Sequence, residues 1–479
     1  MPTLRALRLL NAVEAGTVTG TQLQTYLTDT GRVSEFSSLL SSRGQSRRMA
    51  GSTLTMAAIA SSLAATNIVF KAATTATSAA CQAVVASPIA MVAVAASVPS
   101  LNVLGANSVS WGLFNTSAYY ETNIKTVIAN FAGVTPANYA TIDALIADSV
   151  SMAAIAAAPY AMNAVVASSN TTTLMATSSA AMALVASNAV AIDIVAKQTS
   201  IMGIVANSTQ AMTEINSRST ATNKMASYPG AIVAISSVTT AWSSYMAGPY
   251  FATNLALALA NLIGVSPITF PTLSSIIADA TALGKVAINK AAVQALASNS
   301  AAMSTLATSS NIGIILGSSI AMAVIGPNTT AMSSFLGSSG AWAGLFASSV
   351  AKGYIVSSTA LVDAIAANSA LLTYLGTLSK ITQPATIPDG LPGTFQNFDG
   401  TQPTKVLVLS AKEVGIAATY SDYKLSGTSV AGSAASVSMH LSSTAWVAGV
   451  AGYTGLTWDL LAAGVTAATL PIIKYVDMT

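Results

Sequence analysis

Between Ser149 and Gly248 the sequence repeats itself every ten residues with almost no slippage, and this period constrains the fold more than any other feature. Met152, Met162, Met182, Ile192, Met202, Met212, Ile232 and Trp242 share one phase, with Ala161, Ala181, Ala191, Ala211, Ala231 or Ala241 standing just before most of them. Three residues after the phase come Ile155, Val165, Val185, Val195, Val205, Ile215 and Ile235. Small polar residues close the unit, as in Ser168-Ser169-Asn170, Ser187-Asn188 and Asn207-Ser208-Thr209. The consensus is Ser-x-x-Ala-Met-x-x-Val-Ala-x-Ser. Self-similarity at a fixed period decides architecture before any other signal.

An unbroken α-helix turns about 100° per residue, so ten residues leave it about 80° short of three full turns. The Met positions would spiral around such a helix, and a coiled-coil seam needs a period of about seven or about eleven. The helix must therefore break in every repeat. Ser, Thr and Asn are good N-caps and poor helix interiors, and they sit where the break is needed. Between the breaks Ala, Met and Leu favour helix, and Met-x-x-Val places both side chains on one face. The abundance of Ala counts against a β-solenoid. The expectation is a helix of about two turns, a polar turn, and another short helix folding back. Helices this short are unstable alone, so the repeats must stack into an α-solenoid that buries the Met and Val faces.

A second, longer period lies over the first. Tyr119-Tyr-Glu-Thr-Asn-Ile124 resembles Tyr250-Phe-Ala-Thr-Asn-Leu255, and Ala129-Asn-Phe-Ala-Gly-Val-Thr-Pro136 resembles Ala260-Asn-Leu-Ile-Gly-Val-Ser-Pro267. Ile146-Ala-Asp148 matches Ile277-Ala-Asp279, and Trp111 matches Trp242, every pair 131 positions apart. Decad blocks are thus expected to alternate with bulkier spacers near 112–148 and 243–290, and Trp342 with Gly344-Leu-Phe346 suggests the start of a third copy.

The expected organisation is a helical N-terminal head over 1–51, a decad array over 52–381, a Pro/Gly linker over 382–403 and a small β-rich domain over 404–479. In the head, helices are expected from Thr3 towards Gly16, from Thr21 and from Ser34, closed by a solvated turn at Arg43-Gly-Gln-Ser-Arg-Arg48. Arg43, Arg47 and Arg48 form the candidate partner-docking cluster. In the C-terminal part the hydrophobic period shortens to two, and Trp446, Tyr453 and Trp458 are candidate contact aromatics for a glycan or protein.

Only 7% of the 479 residues are charged, against about 25% in a typical globular chain. No charged residue falls between Lys71 and Glu121, or between Asp148 and Asp193, and the mean hydropathy is +0.62. Polar clusters nevertheless cut every apolar run at about ten residues, well short of the roughly 20 that a membrane span needs. No span is expected. No secretory signal peptide is evident, because no uninterrupted apolar run follows Arg5 and Arg8. The net charge of +3 follows no repeating basic stripe, so a nucleic-acid partner is not expected.

The inventory for catalysis is thin. His440 is the one histidine and Cys81 the one cysteine, the latter replacing Met in the decad phase as a buried small apolar residue. Acidic residues are scattered singly, without acid/base or metal-ligand spacing. Gly427-Thr-Ser-Val-Ala-Gly432 lacks the Gly-Lys-Ser/Thr ending of a phosphate loop. Neither a catalytic site, a cofactor site nor a metal site is expected, and the Met ladder reads as core packing.

The Ser-x-x-Ala-Met-x-x-Val-Ala-x-Ser repeats of residues 52 to 380 resemble the Ala/Ser/Met-rich repeats of tailed-bacteriophage virion proteins, in particular tail-fibre-like and other appendage proteins. The likeness extends to the head ending Arg43-Gly-Gln-Ser-Arg-Arg-Met-Ala-Gly51. The resemblance implies a non-enzymatic, homo-oligomeric structural role in host attachment. It places an anchor to the particle at the N-terminus, a repetitive shaft, and a C-terminal module facing a host-surface glycan or protein. Partners would be copies of itself and other virion proteins. It also implies a chain made in the host cytoplasm and carried in the virion. A bacterial surface adhesin, or a membrane-inserting repeat protein, is the alternative that the same physics allows.

Overall fold

A computed structural model describes residues 2–71, 78–356 and 358–378, and beyond them only the backbone of extended segments between 380 and 477. The chain divides into two compact units, Met1–Asn254 and Leu255–Thr479. The architecture is mainly helical and solenoid-like.

In the first unit, ten helices of eight or nine residues follow one another from Ser149–Ala157 to Thr239–Ala247. Many of the breaks between them are a single residue. Asn188 is both the C-cap of helix Ser179–Ser187 and the N-cap of helix Ala189–Lys197, at φ −98 and ψ 115. One extended residue cannot carry the helical ladder onward, so the axis swings there by 103°. The same happens at Ala158, where the swing is 104°. Most residues of each polar cluster are therefore helical: Ser169 and Asn170 open helix Ser169–Thr177, and only Ser168 forms the corner.

Swings of this size do not fold a helix back on its predecessor, as the sequence suggested. Three of them close one turn of the array, and each helix stacks on the third one after it. Ser149–Ala157 packs on Ser179–Ser187, which packs on Thr209–Asn216, which packs on Thr239–Ala247. Pro159–Val166, Ala189–Lys197 and Ser219–Ser227 form a second stack in the same way. The ten-residue period set the helix length, whereas the corner angle set how many helices make a turn.

In the typical decad the buried residues are the Met phase, the Val phase and an Ala beside each, with Thr, Ile or Asn taking one of these places elsewhere, as at Thr171, Ile201 and Asn216. Ala181, Met182, Val185 and Ala186 are all at most 1% exposed. Two adjacent pairs four residues apart lie on one helical face, and the Ala members let neighbouring backbones approach. Ala189 and Val190, at the start of the next helix, are exposed.

The corners also tie one turn to the next. Ser208 Oγ accepts from the Ala211 amide at 3.2 Å and donates to the Ala176 carbonyl, one turn earlier, at 2.5 Å. A single hydroxyl thus satisfies an orphan donor at one helix start and an orphan acceptor at another helix end.

The head belongs to the first unit. Helix Pro2–Glu14 ends before Gly16, which adopts φ +70. Thr19 starts helix Gly20–Tyr26 with a capping box to Gln22. The third helix, Thr30–Leu40, begins earlier than expected because Asp29 Oδ1 accepts from the Arg32 amide at 3.0 Å. The expected turn at Arg43 is instead a helix, Arg43–Gly51, whose Ser46, Met49 and Ala50 are buried. Burial of Met49 and Ala50, with Ser46 bonded to the Leu40 carbonyl, holds the segment as a helix despite its charge. After helix Thr53–Ser61 the decad pattern slips, and helix Leu63–Thr66 passes into a π-helical turn, Asn67–Lys71.

The 131-residue period is structural. Trp111 stacks on Phe114 at 6.0 Å and meets Tyr120 edge-on at 6.1 Å; Trp242 stacks on Tyr245 at 5.9 Å and meets Phe251 edge-on at 6.0 Å. Longer helices follow, Tyr120–Ala132 and Phe251–Leu262. Gly133 and Gly264 then take left-handed φ values of 71 and 65, which glycine adopts without a Cβ clash. Thr141 and Thr272 cap the next short helices, and Asp148 and Asp279 cap the helices after those. The third copy expected from Trp342 does not form. Helices Ser349–Val356, Thr359–Ala366 and Ser369–Leu378 keep the decad rhythm, and the Trp342 indole donates to the Leu336 carbonyl at 2.8 Å while packing on Tyr374.

In the second unit the rule of three recurs. Lys290–Ala297 packs on Ser319–Ile325, and Ser300–Ala307 packs on Thr329–Leu336. Here Asn328 serves as Ser208 does, capping the Ala331 amide at 3.1 Å and donating to the Ala297 carbonyl at 3.3 Å. Beyond Leu378 the described backbone pairs antiparallel in the order Lys380–Thr382, Leu470–Asp477, Lys405–Val414, Val447–Leu460, Ser421–Ser429, Ala434–Leu441, with Gln396–Asn397 beside Val447–Leu460.

Candidate functional site

The arginine cluster sits on a helix that has a buried and an open side. The Ser46 hydroxyl donates to the Leu40 carbonyl at 2.6 Å, and Met49 and Ala50 are buried. The helix packs on Thr53–Ser61 and Ala79–Val85. That leaves Arg43, Gly44, Arg47 and Arg48 exposed.

The three arginines do not act alike. Arg48 Nη2 donates to Asn11 Oδ1 at 2.7 Å and pairs with the Glu14 carboxylate, fastening helix Arg43–Gly51 to helix Pro2–Glu14. It is a clamp inside the head, which the sequence reading grouped with its neighbours. No hydrogen bond or ion pair reaches Arg43 or Arg47 among the described residues. Arg5 and Arg8 were missed as candidates. Both are exposed on helix Pro2–Glu14, Arg8 towards the side of Asn11 and Arg5 at the edge of the buried face formed by Ala6, Leu9, Leu10 and Val13. The spacing of Arg8 to Asn11 was the available signal.

A second charged group lies within the decads of the first unit. Asp193 accepts from Lys197 at 2.5 Å, Lys224 at 2.7 Å and the Tyr228 hydroxyl at 2.7 Å. Burial works against the carboxylate, but these three donors outweigh it and hold Asp193 well below the usual carboxylate range. Lys197 is correspondingly raised, chiefly by its hydrogen bond to Asp193. Glu214 is lowered by the Ser179 hydroxyl at 2.7 Å and by Arg218 at 2.5 Å. The pair Asp193–Lys197 within one helix, and Glu214–Arg218 across a corner, were readable from their spacing of four. The pairs from Asp193 to Lys224 and from Ser179 to Glu214 required the third-helix stacking. These groups link turns, and each carboxylate is already satisfied.

Other sequence candidates separate clearly. Cys81 is fully buried, with its thiol pushed up to about 11 by burial. Trp446 lies outside the described residues. Tyr453 and Trp458 fall on the backbone strand Val447–Leu460, with His440 on Ala434–Leu441; their side chains lie outside the described residues. Among the described residues no three His, Cys, Asp or Glu side chains gather as a metal site would require. Among them, too, no single helix is long and apolar enough to cross a membrane.

No family model matches this sequence, and no curated protein matches it.

Proposed function

We propose that the chain is a non-enzymatic structural protein of a bacteriophage virion. In this reading it builds a tail fibre or similar appendage from stacked three-helix turns and assembles with copies of itself and other virion proteins. A small β-rich domain over 404–479, joined through 382–403, presents a binding module to a host-surface glycan or protein.

The corner ladder is the observation that carries this reading. Ser208, Asn328 and their equivalents each hold two turns together with uncharged groups. Such turns stack without spending charge, and they leave outer faces rich in Ala, Ser and Thr, with apolar residues such as Val150, Val190 and Val233 among them, that can pack on a copy of the same surface. A stack of this kind favours load-bearing and spacing over chemistry.

Size-exclusion chromatography with light scattering, followed by negative-stain microscopy of the full chain, tests it. Elongated homo-oligomers are the expected outcome. A chain that stays monomeric at every concentration removes the assembly on which the proposal depends.

A further inference from the structure

We draw no further inference here: the strongest candidate, the outward patch where Leu54 on helix Thr53–Ser61 and Ile89 and Val92 on helix Pro88–Ala95 stacked against it stand exposed, carries none because nothing in the structure shows what covers it.

Discussion

The Tyr245 hydroxyl donates to the Thr222 carbonyl at 3.0 Å from inside an aromatic cluster. The cluster 131 residues earlier, Trp111, Phe114 and Tyr120, also buries one tyrosine, but the hydroxyl has moved from the second ring to the third. There Tyr120 donates to the Ala164 carbonyl at 2.9 Å. Burial pushes both phenols far up, so each stays a neutral donor. Tyr245→Phe keeps the rings and removes the second of two bonds to a carbonyl that helix Ser219–Ser227 already uses. It should cost the first unit about 0.5–1.5 kcal/mol, read as a lower urea midpoint with unchanged slope.

Ser208→Ala removes a cap and an inter-turn bond in one step. A loss of about 1–3 kcal/mol is expected in thermal or urea unfolding. Ser208→Asn should recover most of it, because Asn328 performs both tasks in the second unit. Ser237→Ala is the control: that hydroxyl is exposed and bonds only within its own helix, to Ala234. A change there as large as at Ser208 would dispose of the ladder as a source of stability.

Gly326 faces the Tyr354 ring so closely that an added Cβ would come within 2.1 Å of it. Gly326→Ala should destabilise the second unit by about 1–3 kcal/mol through overpacking. Tyr354→Leu in the same chain should restore part of the loss. Additive losses in the double variant would show that the two sites do not collide.

Acid should weaken the first unit through Asp193 and Glu214. Both carboxyls are depressed in the folded chain below the unfolded values of about 4. The unfolded chain therefore takes up protons first as pH falls. Stability from these groups is whole above that unfolded value and drains away as pH drops towards the folded one. Urea midpoints at pH 7 and pH 3 should differ less in Asp193→Asn than in the parent. An equal difference in both would mean that the Lys197, Lys224 and Tyr228 contacts do not act on folding.

The helices and their buried faces were legible because Met182 and Val185 recur where a short helix must hide them. The winding was not. Whether a corner such as Asn188 swings the axis by 103° or reverses it depends on one residue's φ and ψ, which residue type alone does not dictate. The same gap hid the pair formed by Asp193 and Lys224, 31 positions apart. At the candidate docking surface, Arg43 and Arg47 were readable as a charge run. That Arg48 belongs to a clamp required knowing that Asn11 and Glu14 lie opposite it.

Because a helix meets its third successor, the decads of each unit keep count of azimuth as well as of length. Thirty inserted residues would add one revolution and return every later side chain to its former bearing. Ten would advance everything downstream by about a third of a revolution, aiming the same surface in a new direction. Gain or loss of single decads is thus an indexing device, able to re-aim the later helices of a unit without altering a residue of them.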